Sequence, residues 1–175
     1  MKTLILITGG IRSGKSSFAL DLARERCAGE KCFIATAEAL DEEMRVRIKR
    51  HQEERGTDFY TVEEPLDLAG AVARAQEKFP LILIDCLTLW VNNLLFYQKA
   101  SDTFLKTIEA RQSDMIIVTN EIGLGVIPEN PLARRFIDEL GFLNRYVAQQ
   151  SDEVYFMVSG IPQCIKGETL GKLER

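Results

Sequence analysis

The sequence predicts an α/β fold built on a mostly parallel central sheet with helices on both faces, and three observations carry that expectation. Short apolar runs recur along the whole chain without polar alternation, the pattern of strands buried on both faces. Stretches with helical spacing lie between most of these runs, and alternation of strand and helix yields a parallel sheet with right-handed crossovers. The first run breaks at a glycine pair that leads into a helix, which makes a strand–loop–helix unit.

Residues 3–8 are β-branched and apolar until Gly9-Gly10, after which Ser16 to Arg26 places Phe18, Leu22 and Ala23 at helical spacing. Further strands are expected at 32–35, 59–62, 81–84, 115–118 and 154–158. Helices are expected near 39–55, 66–78, 87–98 and 131–150. The last has a clear start, because Asn130 can cap free amides and Pro131 suits the first turn. Gly141 interrupts that helix and reads as a bend or a close packing contact. No linker, repeat or low-complexity tract divides residues 1–175, so a single nucleotide-binding domain is expected.

A chain of 175 residues can bury roughly two thirds of its unfolded surface. Its 46% hydrophobic and 27% charged residues are ordinary for a folded domain. A net charge of -4 argues against nucleic acid as a partner, since that binding needs clustered cations. The four cysteines, Cys27, Cys32, Cys86 and Cys164, form no C-x-x-C pair and sit in apolar contexts, so reduced, mostly buried thiols are expected. The opening apolar run is too short for a signal segment or a membrane span, which points to the cytoplasm.

Gly9-Gly10-Ile11-Arg12-Ser13-Gly14-Lys15-Ser16 satisfies the pattern G-x-x-x-x-G-K-[ST] in its required context, after a strand and before a helix. Glycines let the loop wrap with its amides inward, and the helix dipole adds positive potential where phosphates sit. Lys15 is expected to reach the β and γ phosphates, and the Ser16 hydroxyl to ligate Mg²⁺. Arg12 adds a cation. Asp85, which ends the apolar run Leu81-Ile82-Leu83-Ile84, is the candidate acid for the magnesium shell.

His51 is the single histidine. Met44, Arg47, Ile48, His51 and Arg55 fall at i, i+3, i+4, i+7 and i+11, one face of a helix. Guanidinium groups beside an imidazole disfavour its charged form and can hold phosphate oxygens, which suits a nitrogen nucleophile. A basic, solvated face balanced by Glu42, Glu43, Glu53 and Glu54 fits the same spacing.

With these features placed, the chain resembles the bifunctional adenosylcobinamide kinase and adenosylcobinamide-phosphate guanylyltransferase family nearly end to end. The likeness rests on 8–16, on Ile-Ala-Thr-Ala at 34–37, on the Met44 to Arg55 series and on Glu63-Glu64-Pro65. It continues through Asp85 to Leu94 and through Thr-Asn-Glu-Ile-Gly-Leu-Gly-Val-Ile-Pro-Glu-Asn at 119–130, a segment that ordinary P-loop kinases lack. The resemblance implies a RecA-like P-loop fold, a homotrimer, and ATP and GTP as substrates. It also implies phosphorylation of adenosylcobinamide, then transfer of GMP from GTP to adenosylcobinamide phosphate, with His51 and Lys15 as catalytic residues and His51 carrying GMP. By position, Gly9 to Ser16, Thr36, Ala37, Arg55, Glu63 and Asp85 would contact nucleotide, and Ser16 and Asp85 the metal. Asn120 and Glu121 are candidates to meet the corrinoid or magnesium. Two departures stand out: Arg55 is followed by Gly56 rather than proline, and Gly141 by Phe142 rather than arginine. Two other readings fit the motifs alone: a P-loop kinase of another small hydroxyl substrate with His51 structural, and a nonenzymatic RecA-like nucleotide switch.

Overall fold

A computed structural model describes residues 2–39 and 42–167. Along them run β1 (Leu4–Gly9), α1 (Lys15–Arg26), β2 (Lys31–Ala35), α2 (Glu42–Arg55), β3 (Phe59–Glu63), α3 (Leu68–Gln76) and β4 (Leu81–Asp85). They are followed by α4 (Leu87–Phe96), α5 (Asp102–Glu109), β5 (Asp114–Val118), α6 (Pro131–Gln150), β6 (Glu153–Val158) and β7 (Ile161–Lys166). All seven strands join one sheet in the order β3-β2-β4-β5-β1-β6-β7. Every pairing is parallel except that of β6 with β7.

Successive side chains of a strand point to opposite faces, and the apolar runs therefore feed two cores. Leu4, Leu6, Ile82, Ile84, Met115 and Ile117 pack with residues of α3, α4, α5 and α6. Ile5, Ile7, Leu81, Leu83, Ile116 and Val118 pack against Ala19, Leu20, Leu22 and Ala23 of α1. Deleting most of a buried side chain such as Leu22, 1% exposed, costs about 2–5 kcal/mol. On the first face, Trp90 meets Phe104 edge-on at 5.0 Å and donates Nε1–H to the Leu66 carbonyl at 2.9 Å.

The strands lie where the apolar runs place them. Two elements are additional. Helix α5 is short, with Phe104 and Ile108 as its buried residues. Strand β7 alternates exposed and half-buried residues and hangs on a two-residue turn, Ser159-Gly160, with φ of 50° and 84°, the geometry of a type I′ hairpin.

The expectation for Gly141 is corrected: α6 runs unbroken from Pro131 to Gln150, and a Cβ at Gly141 would meet nothing within 4 Å. The Asn130 cap is present, its side chain accepting from the Leu132 and Ala133 amides. None of the four cysteines forms a disulfide, but Cys32 alone is fully buried, so "mostly buried" overstated their shielding. Among the described residues no helix is long and apolar enough to cross a membrane.

Candidate nucleotide-binding site

The phosphate loop is shaped by backbone that tolerates no side chain at its first position. Gly9 has a φ of 145°, and a Cβ there would lie 2.5 Å from the Met157 carbonyl oxygen on β6. Gly14, at φ 89° and ψ 11°, occupies the left-handed region and caps α1, a conformation that favours glycine. The β6–β7 turn supports the loop from below, through the Gly160 amide donating to the Ser13 carbonyl at 3.0 Å. Ile11 is 73% exposed at the outer edge, and Arg12, at φ 56°, is exposed as well.

Lys15 is only 7% exposed, and its ammonium donates to the Gly10 carbonyl at 2.5 Å. Burial lowers its pKa, opposed by negative potential from Cys86 and Asp85. Asp85 ends β4 in register with Val118 of β5 and Ala35 of β2. Burial raises its pKa; a hydrogen bond with Ser16 and the positive potentials of His51, Lys15 and Arg55 oppose the rise. Residues far apart in sequence therefore converge on one carboxyl group.

His51 is exposed on α2, whose last turn is clamped. Arg55, 3% exposed, lies over the Phe33 ring at 4.1 Å, a distance at which a cation gains from the ring's quadrupole. Its Nε donates to the His51 carbonyl at 3.1 Å and its Nη1 to Thr61 Oγ1 at 3.3 Å. Gln52 Nε2 donates to Glu63 Oε1 at 3.1 Å, which ties the same turn to the end of β3. Arg55 thus sits within reach of Asp85 and Glu63 electrostatically while its guanidinium braces the backbone of His51. Of the rest of that helix face, Ile48 is half-buried; the side chains of Met44 and Arg47 lie outside the described residues.

Thr36 is fully buried, and its polar atoms are bonded within the chain. Its hydroxyl donates to the Cys86 carbonyl at 2.7 Å and accepts from the Cys86 amide at 2.8 Å. Its amide donates to the Asp85 carbonyl and its carbonyl accepts from Asn93 Nδ2. The side chain fastens β2 to β4, and half-buried Ala37 follows it at the sheet edge.

Sequence reasoning missed a buried polar network beside the site. Thr119 Oγ1 donates to Asn144 Oδ1 at 2.8 Å, Asn144 Nδ2 donates to the Asn120 carbonyl at 2.9 Å, and the Asn120 amide donates to Thr88 Oγ1 at 2.7 Å. The network joins β5, α4 and α6 and fixes the chain leaving β5. Buried Asn and Thr need partners, so their presence in otherwise apolar segments was the available signal; their partners were not.

Among the described residues no three His, Cys, Asp or Glu side chains gather as a metal cage. A nucleotide-borne Mg²⁺ does not require one, since it keeps waters and phosphate oxygens and takes one or two protein groups. Ser16 and Asp85, hydrogen-bonded to each other, are two groups that could serve as such a pair.

The chain matches the family described as cobinamide kinase / cobinamide phosphate guanyltransferase over residues 5–165. This chain belongs to that family. Curated relatives agree: a bifunctional adenosylcobalamin biosynthesis protein CobP of Pseudomonas aeruginosa is 41% identical, over 94% of this chain and 98% of the relative. Bifunctional adenosylcobalamin biosynthesis proteins CobU of Salmonella typhimurium and Escherichia coli are 36% and 34% identical, each over 93% of this chain and 99% of the relative. Among solved structures, the VirB11 ATPase of the Brucella suis type IV secretion system is similar in fold, with a TM-score of 0.51 over 94% of this chain and 47% of that one. A second ATPase domain gives a TM-score of 0.50 over 89% of this chain and 69% of that one. At 13% identity these speak to fold alone, and the fold is RecA-like.

Proposed function

We propose that this protein phosphorylates adenosylcobinamide and then transfers GMP from GTP to adenosylcobinamide phosphate through a GMP-His51 intermediate, giving adenosyl-GDP-cobinamide in cobalamin biosynthesis. The observation that carries the reading is the convergence on Asp85 of Ser16, Lys15 and His51. The positive potentials of the loop lysine and of the exposed imidazole both act on one carboxyl group, which supports a nucleophile beside a bound triphosphate.

The loop amides from Gly9 to Ser16 and the Lys15 ammonium would hold the triphosphate, with phosphate oxygens taking over the hydrogen bond that Lys15 now gives Gly10. Ser16 and Asp85 would hold Mg²⁺, which supplies charge neutralisation on the phosphate oxygens when bound. A ring nitrogen of His51 attacks the α-phosphorus of GTP; the bond to the bridging oxygen breaks and pyrophosphate leaves with the electron pair. The acceptor's phosphate oxygen then displaces the histidine, which divides one hard displacement into two. Arg55 and the Gln52–Glu63 contact keep the histidine-bearing turn in place. ATP or GTP serves as phosphoryl donor in the kinase step.

The same reading makes residues 1–175 one nucleotide-binding domain acting in the cytoplasm as a homotrimer. Exposed Val158, Ile161 and Ile165 along the β6–β7 hairpin support self-association, because apolar side chains on a sheet edge invite a partner. The test is incubation with Mg²⁺ and GTP labelled at the α-phosphate. Acid-labile, base-stable label is expected on the protein and absent from His51→Asn; an unlabelled wild-type protein overturns the intermediate.

A further inference from the structure

We propose that Glu121 is the acceptor-side catalytic residue of the kinase step, its carboxylate binding the acceptor hydroxyl and taking its proton. The proposal rests on the kinase half of the function above and assigns a group that the phosphate loop itself does not provide.

The placement follows from strand register. β5 lies between β4 and β1, with Val118 opposite Asp85 on one side and Ile7 on the other. Past Val118 the chain keeps its pairing with β1: the Thr119 amide donates to the Ile7 carbonyl and the Glu121 amide to the Gly9 carbonyl, each at 3.0 Å. Glu121 therefore stands beside the first glycine of the phosphate loop. Its backbone is held from the other direction as well, because the preceding Asn120 is tied to Thr88 and Asn144 through its amide and carbonyl.

The side chain is half-buried and has no ion-pair partner among the described residues. Its Oε1 accepts a long hydrogen bond, 3.3 Å, from the Gly123 amide. Beyond it the segment opens outward, with Leu124 76%, Val126 94% and Ile127 78% exposed, so an acceptor can approach the carboxylate from solvent. Asp85, the other carboxyl group at this sheet edge with a link to the loop, already bonds Ser16. A kinase acceptor needs a group that orients the hydroxyl and removes its proton, and Glu121 is the carboxylate left for that task next to Gly9.

In the step, the acceptor oxygen bonds to the γ-phosphorus as the γ-phosphorus to bridging-oxygen bond breaks. The nucleoside diphosphate leaves with that electron pair, the hydroxyl proton passes to Glu121, and solvent later removes it. His51 takes no part.

The experiment compares wild type, Glu121→Gln and Glu121→Asp in two assays on the same preparations: phosphoryl transfer from labelled ATP or GTP to adenosylcobinamide, and self-labelling by α-labelled GTP. Glu121→Gln is expected to lower the phosphorylation kcat about 10²–10⁴-fold, with nucleotide KM and self-labelling unchanged and Glu121→Asp intermediate. Unaltered phosphorylation in Glu121→Gln overturns the proposal. So does an equal loss of both activities, which marks a structural role, and so does a wild-type protein that labels itself but never phosphorylates adenosylcobinamide. Absence of self-labelling in all three proteins alongside a selective phosphorylation defect in Glu121→Gln instead removes the His51 intermediate and leaves the Glu121 assignment standing.

Discussion

Burial of the Asp85 carboxyl beneath the phosphate loop disfavours its charged form, although Ser16, His51, Lys15 and Arg55 all pull the other way. A carboxyl group whose pKa is raised on folding binds more protons in the folded state than in the unfolded one. Its contribution to stability is thus fullest below the ordinary aspartate range and is lost as pH rises through the raised value. Asp85→Asn should melt higher than wild type at neutral pH without nucleotide, by about 2–4 °C for each kcal/mol relieved. The gap should narrow on acidification, while nucleotide turnover collapses; differential scanning across pH with a GTP assay checks all three. Burial also raises the Cys32 thiol to about 11 and the Cys86 thiol to about 12, and the thiolate is the reactive form. Maleimide at neutral pH should leave both unmodified in the native protein and label all four cysteines after denaturation, as read by mass spectrometry.

At the scale of elements, the phosphate loop depends on a neighbour that follows it by some 150 residues in the chain, since Met157 of β6 closes over Gly9 and the Gly160 amide holds Ser13. Gly9→Ala places a Cβ 2.5 Å from the Met157 carbonyl at a φ that side chains rarely adopt. The expected cost is about 1–3 kcal/mol for the strained backbone, with a loss of nucleotide affinity because the loop must shift from β6. Urea unfolding and nucleotide titration of the same variant measure the two effects. Helix α2 depends on its surroundings in a similar way. With charged residues along most of its length, it is held at its C-terminal end by Arg55 on Phe33 and Thr61.

For the whole molecule, nucleotide binding and folding are linked, because a ligand that binds only the folded state stabilises it by mass action. At a hundred times its Kd, GTP with Mg²⁺ should add about 2.7 kcal/mol. Lys15→Ala should abolish that increment and leave the unliganded melting temperature close to wild type or above it, since burial works against the ammonium. Thermal scans with and without nucleotide test this.

The features legible in the chain are local ones. The phosphate loop could be read because its glycines, lysine and serine shape one continuous stretch of backbone, and the strands because burial on both faces leaves unbroken apolar runs. The Asn130 cap was readable for the same reason. Helix α5 was too short for its Phe104 and Ile108 to show a period, and β7 carries little apolar patterning, although Ser159-Gly160 was a hairpin signal. Tertiary structure decided which distant residues meet: the strand order that sets β5 between β4 and β1, the register that carries Glu121 to Gly9, and the brace of Arg55 behind His51. It also showed that Thr36 is bonded within the sheet and that α6 runs unbroken through Gly141 with no close contact there. Such outcomes depend on contacts between segments dozens of residues apart, and spacing along a chain holds no record of those distances.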